Sequence, residues 1–252
     1  MGARNGVIRR SLAILAPDSL RSWVSYYSPQ HSFSPLEVER VRESIVRQME
    51  PIYVHHLSGA SGDAAGGGGI SGEEFNKRLR IAILRAVRLG LHHEPKLSVL
   101  DIGCGAGFFV AVAKYFHHEC TGGDLPADLL SPATKATYEL CLEALRCGEQ
   151  RRVLAVKPYE PLALGREFDL ITAGLICFNE YPSGATWSRP EWEFFLQDVG
   201  RYCRPGGRLY LEFNEHREHG ALRWYDEPTR ALFSRVGVLS RNKFIYTRPY
   251  DA

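Results

Sequence analysis

Val99-Leu100-Asp101-Ile102-Gly103-Cys104-Gly105-Ala106-Gly107-Phe108-Phe109 is the stretch around which the rest of the chain arranges itself. A short apolar run ends on an acid, glycines follow at alternate positions, and a second apolar segment opens behind them. An apolar run bounded by glycine reads as a buried strand, and Phe108 to Phe116 reads as a helix. Glycines between the two let the backbone turn tightly and let a ligand approach the main chain with no Cβ in the way. Free N–H groups at the helix start favour a carboxylate or a phosphate.

The alternation continues toward the C-terminus. Glu119-Cys120-Thr121-Gly122 reads as a second strand ending at Asp124, Ala133 to Cys147 as a helix stopped by Gly148, and Val153 to Val156 as a third strand. Phe168 to Ala173 is a fourth strand. Ser188-Arg189-Pro190-Glu191 is a capping box. It opens a helix that buries Phe195, Leu196 and Val199 and stops at Pro205-Gly206-Gly207, ahead of a fifth strand from Arg208 to Phe213. Val236 to Leu239 and Phe244 to Thr247 are joined by Ser240-Arg241-Asn242-Lys243. That link is too short for a parallel crossover and predicts an antiparallel hairpin. The pattern as a whole predicts an α/β fold. Its sheet is doubly wound, mostly parallel and seven-stranded, with an antiparallel last strand and helices on both faces. Ligands of such sheets bind at the carboxyl ends of the strands, where the strand order reverses.

Residues 1–93 differ, with 12 Lys/Arg against 8 Asp/Glu. Ser34-Pro35-Leu36-Glu37 is a capping box with proline at the first helical position. Val38, Val41, Ile45, Met49 and Ile52 then recur on one helical face. Ser71-Gly72-Glu73-Glu74 is another such box, followed by Phe75, Leu79, Ile83 and Val87, with Gly90 as a left-handed stop. Residues 58–70, rich in glycine and serine, read as a flexible loop. The expected division is an N-terminal helical cover, 1–93, and a ligand-binding domain, 94–252.

A net charge of +2, with 44% hydrophobic and 24% charged residues, excludes a disordered or fibrous chain and disfavours a nucleic-acid partner. No apolar run approaches the roughly 18 residues that a membrane span needs. Cys104, Cys120, Cys141, Cys147, Cys177 and Cys203 are scattered with no CxxC pair. They match neither a zinc ribbon nor a disulfide scaffold and read as reduced, buried thiols of a cytoplasmic protein.

Asp124 stands 23 residues after Asp101, at the end of the second strand, where a carboxylate can accept both hydroxyls of a ribose. A dinucleotide and S-adenosyl-L-methionine both suit a glycine loop with such an acid. The dinucleotide loop wants Gly-x-Gly-x-x-Gly, whereas here position 108 is Phe and the glycines stand at 103, 105 and 107. Asp101 would also repel a pyrophosphate and attract an ammonium. A nucleotide-dependent oxidoreductase is therefore disfavoured.

Asp-x-Gly-x-Gly-x-Gly resembles motif I of class I S-adenosylmethionine-dependent methyltransferases. Phe168-Asp169-Leu170-Ile171, the helix leading to Pro205-Gly206-Gly207, and the terminal hairpin resemble further parts of that family, over about residues 96–250. The resemblance implies a Rossmann-like fold, S-adenosyl-L-methionine as cofactor and methyl transfer to an oxygen or nitrogen atom of a small organic molecule. It implies cofactor contacts at Asp101, Gly103, Cys104, Gly105, Gly107, Asp124 and Leu125, at Lys157 and Tyr159 beside the adenine, and at Ala173 on the fourth strand. Acceptor-site residues are expected after the fourth and fifth strands: Phe178, Asn179, Tyr181, Trp187 and Trp224, whose rings would suit an aromatic or apolar acceptor. His216 and His219 are candidates for a general base, because neutral imidazole titrates near working pH. The surrounding Glu/His loop meets no recognised metal spacing, and no metal is expected. Methylation of a protein or RNA, and a scaffold without turnover, stay open as alternatives. The oligomeric state is left open.

Overall fold

A computed structural model describes residues 33–49, 70–176, 178–181, 183–213, 217–218, 221–222 and 226–248. Helix α1 (Pro35–Arg47) begins with its capping box closed in both directions between Ser34 and Glu37. Val38, Val41, Ile45 and Met49 are buried on one face, while Ile52 lies outside the described residues. At α2 (Gly72–Arg88) only half of the box forms. Ser71 Oγ accepts from the Glu74 N–H at 3.2 Å, but the Glu74 carboxylate turns to Lys77 and Arg78. Phe75, Leu79, Ile83 and Val87 are buried, and Gly90 closes the helix at φ 80°. Glu39 of α1 pairs with Arg80 of α2.

The alternating part follows as β1 (Ser98–Ile102), α3 (Phe108–Tyr115), β2 (Glu119–Asp124), α4 (Pro132–Ala144), β3 (Arg151–Val153), β4 (Phe168–Ile176), α5 (Arg189–Gly200) and β5 (Cys203–Phe213). A small ribbon comes next, β6 (Arg217–Glu218) with β7 (Ala221–Leu222). The chain then forms α6 (Glu227–Val236), β8 (Val238–Ser240) and β9 (Lys243–Thr247). The seven-stranded sheet has the order β3-β2-β1-β4-β5-β9-β8, and β9 runs antiparallel to both of its neighbours. The expected Rossmann-like α/β sheet with its reversed last strand is therefore present. Chain order reverses at β1, between β2 and β4. Two apolar cores flank the sheet. Val99, Leu170, Tyr210 and Ile245 face α1, α2, α3 and α4, while Leu100, Ile171, Leu209 and Phe244 face α5 and α6.

Several boundaries depart from the sequence pattern. Helix α4 stops at Ala144, ahead of Gly148. Arg146 takes the left-handed position at φ 53°, and the Cys147 N–H donates to the Leu142 carbonyl at 2.8 Å. That is the hydrogen bond of a Schellman cap. Strand β3 pairs through Arg151–Val153, so Leu154 to Val156 fall beyond its end. Pro205-Gly206-Gly207 forms a bulge inside β5, because Phe168 faces Cys203 whereas Leu170 faces Arg208. Val236 closes α6 and does not open β8.

Candidate cofactor and acceptor site

Asp101 is the next-to-last residue of β1, in register with Gly122 of β2 and Thr172 of β4. Behind it the backbone turns on Gly103, Gly105 and Gly107, whose φ values are 73°, 53° and 79°. Left-handed backbone at all three explains why side chains are absent there. The turn is pinned to β2, with the Gly103 N–H donating to the Gly123 carbonyl at 2.7 Å. A Cβ at Gly122 would lie 2.6 Å from Cys104 Sγ, and one at Gly107 would lie 2.7 Å from Leu142. Glycine at 107 and 122 is thus a packing requirement, and at Gly105 a Cβ would stand 3.3 Å from the Tyr138 hydroxyl, itself a tight contact.

The two acids lie on either side of this loop. Asp101 is 3% exposed, and its Oδ1 accepts from Thr172 Oγ1 at 2.7 Å. Burial pushes its carboxyl up to about 6, against the pull of the Arg85 charge and of the Thr172 hydrogen bond. A buried carboxylate held this weakly is suited to receive a cation. Asp124 accepts the Gly105 N–H on Oδ2 at 2.6 Å and the Leu125 N–H on Oδ1 at 2.7 Å. The acid at the end of β2 therefore fastens the glycine loop, while each oxygen keeps a lone pair for a ligand hydroxyl. Burial raises the Cys104 thiol, which keeps it protonated and unreactive.

The remaining expected residues fall into three groups. Ala173 is buried in β4 beside Ile102. Lys157 pairs with Glu160 on the segment after β3, and half-exposed Tyr159 stands edge-on to Phe194 of α5. On the segment after β4, Phe178 packs against Trp187, Trp192 and Phe195, and Trp187 is 2% exposed. Asn179 is buried there, and the Tyr181 hydroxyl donates to Glu191 of α5. His216, His219 and Trp224 lie outside the described residues. Among the described residues no group of His, Cys, Asp and Glu could hold a metal ion. No helix there is long and apolar enough to cross a membrane.

Three residues near the site were not singled out from sequence: Thr172, Tyr138 and Arg85. Thr172 is a polar position in an apolar strand, in register with Asp101. Burial and the nearby Asp124 charge raise the Tyr138 hydroxyl above its ordinary range. Arg85 interrupts the apolar stripe of Ala82, Ala86 and Leu89 on α2, and that interruption was the available signal. Its Nε donates to Glu212 Oε2 at 3.2 Å. Leu175, at the end of β4, adopts φ 56°, unusual for a branched side chain and placed next to the site.

No protein-family model and no curated protein matches the sequence. Among solved structures, DesVI of Streptomyces venezuelae is 14% identical, with 68% of this chain and 90% of that one aligned at a TM-score of 0.43. An O-methyltransferase family protein from Burkholderia thailandensis is also 14% identical, over 72% of this chain and 62% of that one, at 0.43. The glycopeptide N-methyltransferase MtfA is 18% identical over 53% of this chain, at 0.38. The chain spans 52% of the length of that enzyme. With every one of these scores below 0.5, the fold rests on the strand order and not on these likenesses.

Proposed function

We propose that the chain is a cytoplasmic S-adenosyl-L-methionine-dependent methyltransferase that methylates an oxygen or nitrogen atom of a small organic molecule. One observation carries the reading: buried Asp101 and Asp124 stand at the carboxyl ends of adjacent strands on either side of a left-handed glycine loop. A cofactor with an ammonium at one end and a ribose at the other suits both acids. Asp101, with a carboxyl that burial disfavours in its charged form, gains from a neighbouring ammonium. Asp124 accepts from the ribose hydroxyls while it keeps the loop closed. The loop allows close approach of the methionine end, and Lys157 and Tyr159 flank the adenine.

Bound S-adenosyl-L-methionine supplies a methyl group on a sulfonium, displaced in line with a neutral leaving group. The chain has no departing anion to stabilise, so its work is alignment and exclusion of water. Residues 1–93 act as the cover over the acceptor, and the segments after β4 and β5 hold it. A base is needed only where the acceptor must first lose a proton, and His216 and His219 are the groups offered for that task.

Calorimetric titration of the full chain with S-adenosylhomocysteine and with NAD tests the reading. Saturable binding of S-adenosylhomocysteine and none of NAD is expected. The opposite result would end the methyltransferase assignment.

A further inference from the structure

At the carboxyl edge of the sheet, polar groups stand on five strands in lateral order. They are Asp124 on β2, Asp101 on β1, the bare backbone of Gly174 on β4, Glu212 on β5 and Lys243 on β9. Neighbouring strands lie about 4.8 Å apart. In the reading above, the cofactor occupies the β2–β1 end of this row. What lies over β4, β5 and β9 therefore faces the acceptor.

Among the described residues that end gathers positive charge. Arg85 is held with its guanidinium against Gly174, where a Cβ would come within 2.1 Å of Nη1. The Arg85 side chain is 9% exposed, and its one hydrogen bond among the described residues runs from Nε to Glu212. Among the described residues its two terminal amino groups donate to no side chain or carbonyl, and they lie against Gly174. Glu212 also lies 4.0 Å from Arg88 Nη1 and 3.8 Å from Lys243 Nζ, and it accepts from the Tyr210 hydroxyl. Among the described residues this one carboxylate faces three cations, with the Arg241 charge adding to the field at Lys243 and the Asp101 charge lying beyond Arg85. Burial, and then the neighbouring Arg88 charge, hold the Lys243 ammonium below its ordinary range. An anion placed among these groups would relieve that repulsion and fill the open donors of Arg85.

Resting on the methyltransferase reading, we infer that the methyl acceptor carries an anionic group, a carboxylate or a phosphate, seated over β4, β5 and β9 by Arg85, Arg88 and Lys243. Glycine at 174 is the residue that admits the guanidinium. Glu212 orients Arg85 through Nε and leaves its terminal fork free for a planar or tetrahedral anion.

The test titrates the full chain, saturated with S-adenosylhomocysteine, with inorganic phosphate and with malonate at constant ionic strength. Saturable binding of one or both is expected, and the two arms distinguish phosphate from carboxylate. Arg88→Gln and Lys243→Gln should each weaken that binding at least tenfold while S-adenosylhomocysteine affinity stays within twofold. Absence of saturable binding, or binding by both variants as tight as by the parent chain, overturns the inference. Arg85→Gln separates the remaining possibility. If it weakens S-adenosylhomocysteine tenfold but spares the decarboxylated analogue, the cations hold the carboxylate of the cofactor, and the acceptor proposal falls. Failure of the unmodified chain to bind S-adenosylhomocysteine at all strikes the methyltransferase reading itself. Phosphate binding lost in the variants of a chain that does bind it leaves both standing.

Discussion

Asp101 is a carboxylate with one side-chain donor and almost no access to water, and its behaviour follows from that imbalance. In the unfolded chain it titrates near 4, and in the folded chain near 6. The native state therefore holds the proton more tightly. Its contribution to stability is most favourable below about pH 4 and declines as pH rises through 6, by about 2–3 kcal/mol in all. Asp101→Asn keeps an oxygen for Thr172 and removes the titration. In urea unfolding at pH 7.5 the variant should exceed the parent chain in stability by about 1–2 kcal/mol, with the gap closing near pH 4. A less stable variant at pH 7.5 would mean that the Arg85 attraction outweighs burial. The same substitution should weaken S-adenosylhomocysteine at least tenfold by calorimetry, and the parent chain should lose affinity as pH falls through 6. Asp124→Asn should cost about 1–3 kcal/mol of cofactor affinity, the range for hydrogen bonds to a charged group. Unchanged affinity would remove Asp124 from the ribose role. Both acids and the glycine loop were legible in the sequence because spacing along one strand and turn determines their chemistry. Arg85 and Tyr138 were not, because each meets its partner only through packing: Tyr138 of α4 stands against Gly105, and Arg85 of α2 reaches Glu212 across 127 positions.

Elements were legible where a local rule decides them and blurred where pairing does. The boxes at Ser34 and Ser188 close as their spacing predicts, and the terminal hairpin is antiparallel. Strand β3 is displaced from Val153–Val156 because it is an edge strand whose register is set by Gly122, Gly123 and Asp124 rather than by its own apolar run. Val153 is in fact 73% exposed. Helix α6 was missed although Asp226, which caps it by accepting from the Thr229 N–H, stands two residues before a proline. Helix α4 supplies a prediction at this scale. Its left-handed position is filled by Arg146, although Gly148 stands two residues further on, and a non-glycine residue there is strained by about 1 kcal/mol or more. Glycine relieves the strain but adds freedom to the unfolded chain. Arg146→Gly should therefore raise stability by about 0.5 kcal/mol, read as a higher urea midpoint with an unchanged slope. A lower midpoint would show that Arg146 side-chain contacts outweigh the backbone cost.

At the scale of the whole molecule, the apolar faces of α1 and α2 join the same core as α3, β1 and β4, with Leu79 and Ile83 wholly buried. Helices that share their core with the sheet should melt with it. Leu79→Ala should cost about 2–5 kcal/mol and keep a single unfolding transition. Two transitions would mark residues 1–93 as an independent unit. The cysteines report on the same cooperativity, four of them from the core that α1 and α2 share and Cys203 from the other face of the sheet. Cys104, Cys120, Cys141, Cys147 and Cys203 are free and buried, spread over the glycine loop, β2, α4, the segment after it, and β5. Burial pushes the thiols of Cys141 and Cys147 up to about 11 and that of Cys203 to about 12, so almost no thiolate is present at pH 8. Alkylation of these five by iodoacetamide should then require global opening, and peptide mapping should find them labelled together, at one rate, across the urea transition. Early labelling of Cys104 alone would show that the glycine loop opens without the rest of the fold. Slowing of that labelling by S-adenosylhomocysteine would then locate the ligand at the loop by a route independent of any acid substitution.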